Sequence, residues 1–172
     1  MRRSLIHTVE LDGKAFAAAR AVIACAEVES IRITRSKFGS RIHMSEAPQV
    51  ELTTSSKTEE LIAGGKLTIF LDLSLRGLKG EEVWLEIAAR IEAQYSLPDD
   101  ATFTAFQLKS FARANAMLNV WPYWRDFVQS TVQRAALPPL TLPLFRVIHK
   151  PKVHIQGGTK AIAAKSSNAH RS

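Results

Sequence analysis

The chain has 172 residues, of which 46% are hydrophobic and 23% are charged, and its formal net charge is +7. These proportions are typical of a folded globular domain and exclude an intrinsically disordered chain. The single cysteine, Cys25, excludes an internal disulfide framework and fits the reducing cytoplasm, and no apolar run approaches the about 20 residues of a membrane span.

The positive charge is concentrated towards the C-terminus. Residues 148–172 hold five of the 23 basic residues and no acidic residue, which leaves 18 basic and 16 acidic residues in the rest of the chain. Because this segment is rich in Lys, Gly, Ser and Ala, we expect a disordered basic tail. Nucleic acid is not an expected partner, since the body lacks a basic stripe interleaved with exposed aromatic residues.

An extra helix is predicted near the N-terminus. Residues 14–27 contain many alanines and neither glycine nor proline, which favours a helix, and Asp12 or Gly13 is placed to cap its start. Residues 1–28 therefore form a predicted N-terminal helical arm ahead of the main domain, which spans residues 29–147.

Four strands are predicted next. Residues 30–38 alternate between apolar and polar, and residues 49–55 do so more weakly. The clearest alternation covers residues 66–76 and 82–95, which are joined by a turn at 77–80. Each strand is apolar on one side only, which predicts an antiparallel sheet with one packed face and one wet face.

The register of the central hairpin follows from this alternation. Pairing Leu75 with Val83 keeps the apolar residues of both strands on one face, whereas a slip by one residue would separate them. The cross-strand charge pairs predicted by this register are Arg76–Glu82 and Lys66–Glu92.

Two helices are predicted after the sheet. Asp99 and Asp100 are placed to cap the first helix, which begins one residue later. Proline is tolerated in the first turn of a helix and not in its interior, so Pro122 is predicted to start the second helix, over residues 122–136. An extended, proline-punctuated segment follows over residues 140–145.

The motifs of common enzyme and metal sites are missing. The chain has no Gly-rich phosphate loop, no GxSxG, no CxxC and no HExxH, and its five histidines are scattered. The sequence therefore predicts neither an enzyme nor a metal or cofactor site. The stretch 119–147 is instead rich in large apolar side chains, which must be covered by the rest of this chain or by another chain.

Residues around this stretch resemble the SecB-type protein-export chaperones. An aromatic-Pro-Tyr sequence opens the long helix of that family, Ser and Val precede an Arg, and a Pro-x-Leu-x-Leu run follows. The matching stretches here are VWPYWR (120–125), STVQR (130–134) and LPPLTL (137–142). The hairpin residues 80–82 and the residues 95–97 fall at the family's spacing, so the resemblance covers about residues 29–147.

The resemblance implies an α+β protomer with a four-stranded antiparallel sheet followed by two helices, here with an extra N-terminal helix. It also implies a homo-oligomer, a dimer of dimers, which holds unfolded polypeptides in apolar grooves without ATP. For any single aromatic residue, packing in the core or at a subunit interface is the commoner role. The candidate client-binding residues are Phe70, Trp84, Trp121, Tyr123, Trp124, Phe127, Leu137, Leu140, Leu142 and Phe145.

The chain departs from the export-dedicated members in its charges. Its first strand carries Arg35 and Lys37 where those members carry acidic residues, and Ala88 stands where an acid beside Glu86 is expected. Docking to the Sec motor is therefore disfavoured. SecB-like proteins that protect an antitoxin of a toxin–antitoxin pair fit better. An export chaperone that delivers preproteins to the Sec translocase and a non-chaperone interaction or assembly domain remain the alternatives.

Overall fold

The computed structural model describes residues 8–42 and 51–150. The elements in chain order are β1 (Thr8–Asp12), α1 (Gly13–Ile23), β2 (Glu27–Ser40), β3 (Glu51–Ala63), β4 (Lys66–Lys79), β5 (Glu82–Ser96), α2 (Ala105–Phe111), a π-helical turn (Ala112–Ala116), α3 (Met117–Arg134) and β6 (Arg146–Lys150).

The main sheet has four antiparallel strands in the order β2-β5-β4-β3, so β2 and β3 are its edges. This confirms the predicted α+β class and the four-stranded antiparallel sheet. The second strand does not end at residue 55 as predicted, because β3 pairs with β4 as far as Ala63. Gly64 and Gly65, both with positive φ, then close a two-residue hairpin turn that suits glycine.

The predicted register of the β4–β5 hairpin is wrong. Leu75 lies opposite Ile87, not Val83, and the predicted charge pairs give way to other pairings. The reason is that β4 does not stop at residue 76. It continues through a bulge at Gly77 to Lys79, so the turn shortens to two residues and begins with Gly80, whose φ is 64°. The pairs observed in place of Arg76–Glu82 and Lys66–Glu92 are Arg76–Glu86 and Lys66–Ser96.

The faces of the two central strands are nevertheless as predicted, because the register error is an even number of residues. The inward residues of β4 are all buried, and those of β5 are buried with the exception of Val83, which lies near the turn and is 38% exposed. On the opposite face, Glu92 is also buried, because Arg32 of the neighbouring β2 pairs with it at 2.8 Å. The buried inward residues are Leu67, Ile69, Leu71, Leu73, Leu75, Leu85, Ile87, Ala89, Ile91, Ala93 and Tyr95.

Helix α2 begins at Ala105, later than predicted, and Asp99 and Asp100 do not cap it. Thr104 is the cap. Its Oγ1 accepts a hydrogen bond from Gln107 N at 3.3 Å, and Gln107 Oε1 accepts one from Thr104 N at 2.8 Å. This reciprocal pair satisfies two backbone donors, whereas an aspartate cap satisfies one.

The helical region does not break at Pro122, so the predicted boundary there is wrong. It continues from α2 through the π-helical turn into α3, and Pro122 lies inside α3. Pro122 cannot donate the usual hydrogen bond to the carbonyl four residues earlier. Its neighbours Trp121 and Trp124 are buried against the sheet, and this tertiary packing outweighs the local preference for a break. The helix ends at Arg134, two residues before the predicted end.

The N-terminal arm packs against the domain through α1 and β1. Asp12 caps α1, as predicted, by accepting a hydrogen bond from Ala15 N at 2.7 Å. Strand β1 pairs in parallel with β6, which places Leu11 opposite His149 and leaves Leu11 only 2% exposed. The predicted boundary between domain and tail falls inside β6, and the rest of the predicted disordered tail, from residue 151 onward, lies outside the described residues.

Candidate functional site

Helix α3 holds the segment that follows it against its own buried face. The indole Nε1 of Trp121 donates a hydrogen bond to Pro143 O at 2.8 Å, and Nε of Arg125 donates one to Leu142 O at 2.8 Å. The rings of Trp121 and Phe145 lie 5.5 Å apart. The predicted client-binding residues that the structure places in the core are Trp121, Trp124, Leu142 and Phe145.

An apolar groove, here called the edge groove, lies between α3 and the edge strand β2. Its volume is about 410 Å³. Tyr123 is 49% exposed in it, while Phe127 is half-buried and stacks on Trp124 with the ring centres 6.0 Å apart. The residues that line the groove are Ile33, Pro122, Tyr123, Asp126, Phe127 and Ser130.

The strand side of the edge groove is apolar because β2 extends beyond the cover of the helices. Val28, Ile33 and Phe38 pair with inward residues of β5 and thus belong to the helix side of the sheet, yet they are 52%, 41% and 43% exposed. Within the part of the chain that the structure describes, nothing pairs with the outer edge of β2. This edge therefore combines exposed apolar side chains with open backbone hydrogen-bonding groups.

A smaller groove, here called the C-terminal groove, lies between the end of α3 and the segment that follows it. Its volume is about 160 Å³, and both Leu137 and Leu140 are half-buried in it. Both are among the predicted client-binding residues. The residues that line this groove are Gln129, Val132, Gln133, Leu137, Pro139, Leu140 and Thr141.

The other two predicted contacts, Phe70 and Trp84, lie on the wet face of the sheet, away from both grooves. Each ring is covered in part by a cation. The guanidinium carbon of Arg90 lies 4.8 Å from the ring centre of Phe70, and Nζ of Lys79 lies 4.4 Å from that of Trp84. The structure therefore divides the predicted site residues among the core, two grooves and the wet face.

Ion pairs of the wet face lower the pKa of Glu86. The hydrogen bond from Lys37 is the largest cause, and the charges of Lys37 and Arg76 add to it, while partial burial acts in the opposite direction. Lys37 Nζ lies 2.6 Å and Arg76 Nη2 lies 3.3 Å from the Glu86 carboxylate.

The edge groove, by contrast, contains one titratable acid, Asp126, and is otherwise apolar or uncharged. Its chemistry is apolar and aromatic contact.

Within residues 8–42 and 51–150, no three His, Cys, Asp or Glu side chains are grouped so that they could hold a metal ion. None of the described helices combines the length and the apolar character needed to cross a membrane.

Sequence reasoning missed Ile33 as a site residue, because its alternation marks it as an inward residue of a half-buried strand. Its exposure depends on β2 being an edge strand, and strand order is a tertiary property that local alternation does not contain. Asp126 and Ser130 were also missed, and no sequence signal distinguishes them from ordinary helix-surface residues.

The chain matches no protein-family model and no curated protein sequence. Among solved structures it is similar to the SecB-like chaperone Rv1957 of Mycobacterium tuberculosis in complex with a ChAD peptide from the HigA1 antitoxin, Rv1956. The TM-score is 0.65 and the sequence identity 19%, and the similarity covers 78% of this chain and 99% of the other. The chain therefore has a SecB-like fold.

A second structure, a protein of unknown function from Streptococcus agalactiae, matches with a TM-score of 0.38 and 12% identity over 69% of this chain and 98% of the other. This similarity is too distant to carry a conclusion.

Proposed function

We propose that this chain is an ATP-independent chaperone, a holdase that binds unfolded or aggregation-prone polypeptides in the edge groove. The observation that carries the proposal is the apolar surface that the exposed Ile33 of β2 forms with Tyr123 and Phe127 of α3. Singly exposed apolar residues are common, but a contiguous apolar surface marks a binding site. The groove's volume lies within the about 300–1,000 Å³ of typical ligand pockets.

The two kinds of contact that this edge offers fit an unfolded client. The outer edge of β2 can pair with the backbone of an extended segment, which does not depend on the client's sequence. Ile33 and Tyr123 would receive the client's apolar side chains, which unfolded chains expose and folded proteins bury. The absence of a nucleotide-binding motif from the sequence is consistent with a holdase that works without ATP.

We propose an antitoxin as the client class, in the cytoplasm. The support is the similar fold of a SecB-like chaperone whose structure contains an antitoxin peptide. We also propose a homo-oligomer, a dimer of dimers. Val28 and Phe38 lie on β2 on either side of Ile33 and are exposed, and they offer a sister chain an apolar surface beyond the groove.

The proposed function is tested by the aggregation of a chemically unfolded client after dilution, followed by light scattering without nucleotide. The wild-type chain is expected to suppress aggregation at near-stoichiometric amounts. The double variant Ile33→Thr/Tyr123→Ser should need several-fold more protein, because it removes two exposed apolar walls of the groove. Unchanged stability of this variant, checked by thermal denaturation, separates lost binding from lost folding.

A matched control is Ile148→Thr/Phe106→Ser, which makes the same kinds of substitution at residues that are 46% and 47% exposed outside the groove. It should protect the client as well as the wild type does. The proposal is wrong if the wild type gives no protection at several-fold excess. Equal losses in the two double variants would refute the edge groove as the client site.

A further inference from the structure

A second cavity lies on the wet face of the sheet, on the side opposite the helices and the two grooves. Its volume is about 270 Å³, and we call it the wet-face basin. It crosses all four strands at one level, and its middle contains the small, directly paired residues Ser74 and Ala88. Longer side chains surround this middle, and those that carry charge are Arg35, Lys37, Lys57, Asp72 and Arg90.

Two of the basin's four cations are already held by acids. Nη2 of Arg90 lies 2.7 Å from Glu59, its Nε lies 3.7 Å from Asp72, and its guanidinium also covers Phe70. Lys37 pairs with Glu86 at 2.6 Å. The side chain of Arg90 is held in place, because moving it would break its contacts with Glu59, Asp72 and Phe70.

The other two cations, Arg35 and Lys57, form no ion pair with any residue in the described ranges, and both are exposed. A ligand anion can therefore bind either one without displacing an acid of the chain. Binding an anion at a cation that has no acidic partner does not require an existing ion pair to be broken. The basin thus offers two cations, Arg35 and Lys57, to which the acidic groups of a ligand can bind.

The distance between Arg35 and Lys57 indicates how far apart two acidic groups of a ligand should lie. Arg35 lies on β2 and Lys57 on β3, the two edges of the sheet, so three strand spacings of about 4.8 Å, or about 14 Å, separate their backbones. An extended polypeptide advances about 3.3 Å per residue, so two acidic residues four positions apart would span this distance.

We infer that the wet-face basin binds an acidic, extended segment of a partner protein, with one carboxylate at Arg35 and another at Lys57. A nucleic acid fits less well. Its phosphates are regularly spaced along the backbone and would approach Glu59, Asp72 and Glu86, which are interspersed with the cations. The site is independent of the proposed client-binding activity, because it lies on the opposite face of the sheet.

The test is fluorescence anisotropy with a labelled Ser/Thr peptide of about twelve residues that carries two glutamates four positions apart. The same peptide with glutamines and a labelled oligothymidine of equal charge are measured alongside it. The wild-type chain is expected to prefer the glutamate peptide over both, and the binding should weaken at high salt. Arg35→Gln/Lys57→Gln should lower the affinity about fivefold, the sum expected for two exposed charge pairs.

The matched control is Lys109→Gln/Arg113→Gln, which removes one lysine and one arginine that are exposed on the helical side of the molecule. It should leave the affinity unchanged. An equal loss in the control would mean that only net charge matters, and this would overturn the inference. So would equal binding of the glutamine peptide or tighter binding of the oligothymidine. Arg35→Gln/Lys57→Gln should protect an unfolded client as well as the wild type does. A negative result in the peptide-binding experiment would therefore leave the proposed client site in the edge groove untouched, and the reverse also holds.

Discussion

Tyr95 shows how a polar atom is accommodated in the core of this protein. The residue is 1% exposed, and its ring packs edge-on against Phe111 with the centres 5.0 Å apart. Nδ2 of Asn119 donates a hydrogen bond to the phenolic oxygen at 3.2 Å. Burial raises the pKa of Tyr95 above its ordinary value of 10.0, because the charged phenolate is poorly solvated there, and the hydrogen bond from Asn119 opposes this only in part.

This raised pKa predicts a loss of stability at high pH. The folded state holds the phenolic proton more tightly than the unfolded chain, so the contribution is fully present below pH 10.0 and is lost as the pH rises towards the folded-state pKa. Tyr95→Phe should remove this part of the pH dependence. The measurement is the urea midpoint of wild type and variant across this range, and an unchanged slope in Tyr95→Phe would contradict the prediction.

The aromatic residues of α3 differ in how much of each side chain is exposed to solvent. Trp124 is 1% exposed, whereas its neighbour Tyr123 is 49% exposed. Trp124→Ala should destabilise the protein by about 3–5 kcal/mol, because it leaves a large cavity against the sheet. Tyr123→Ala should change the stability by no more than about 0.5 kcal/mol. Chemical denaturation measures both, and a small effect of Trp124→Ala would contradict its assignment to the core.

At the scale of elements, the start of α2 depends on its capping box. Thr104→Ala removes the acceptor for Gln107 N and leaves the end of the helix without its side-chain cap. The expected loss is about 1 kcal/mol in the free energy of unfolding. Thr102→Ala, at an exposed position before the helix, is the control and should be near neutral. Equal effects of the two substitutions would contradict the assigned cap.

Pro122 lies inside α3, where the low helix propensity of proline opposes a helix that tertiary packing keeps continuous. Proline is about 3 kcal/mol less favourable than alanine inside a helix, while its rigidity lowers the entropy of the unfolded chain by the equivalent of up to about 1 kcal/mol. Pro122→Ala should therefore stabilise the protein by about 2 kcal/mol.

The control for Pro122→Ala is Pro138→Ala, at an exposed proline after the helix, where no gain is expected. Denaturant unfolding of the two variants gives the comparison. A destabilising effect of Pro122→Ala would show that the proline shapes the packing of α3 instead of opposing it.

At the scale of the whole molecule, β1 and β6 join the two ends of the described chain. Leu11 of β1 is 2% exposed although the residue lies in the predicted N-terminal arm. If the arm is part of one cooperative unit, Leu11→Ala should lower the stability by about 2–5 kcal/mol in a single transition.

The control for Leu11→Ala is Ile148→Ala, which lies in β6 of the same small sheet but is 46% exposed, so its effect should stay within about 0.5 kcal/mol. Calorimetry distinguishes the outcomes. A main transition that is unchanged by Leu11→Ala would mean that the arm folds independently of the domain.

The sequence by itself determined the α+β class, the presence of the four strands of the main sheet and the apolar faces of β4 and β5. Side chains alternate between the two faces of a strand with a period of two residues. This local pattern fixes the face on which the apolar side chains of β4 and β5 lie, whichever strands they pair with. It also limited the cap of α1 to Asp12 or Gly13, because a cap depends on a few adjacent residues, and the structure shows that Asp12 is the cap. The resemblance of the stretch 120–142 to SecB-type chaperones likewise pointed to the SecB-like fold.

The tertiary structure alone decided the hairpin register, the continuity of the helix through Pro122 and the composition of the candidate site. The register depends on a bulge at Gly77, and the unbroken helix depends on the packing of Trp121 and Trp124 against the sheet. The edge groove exists because Ile33 lies on an edge strand beside α3, far from Tyr123 in the sequence. These features arise from contacts between distant residues, and such contacts are not contained in the periodicity of any single segment.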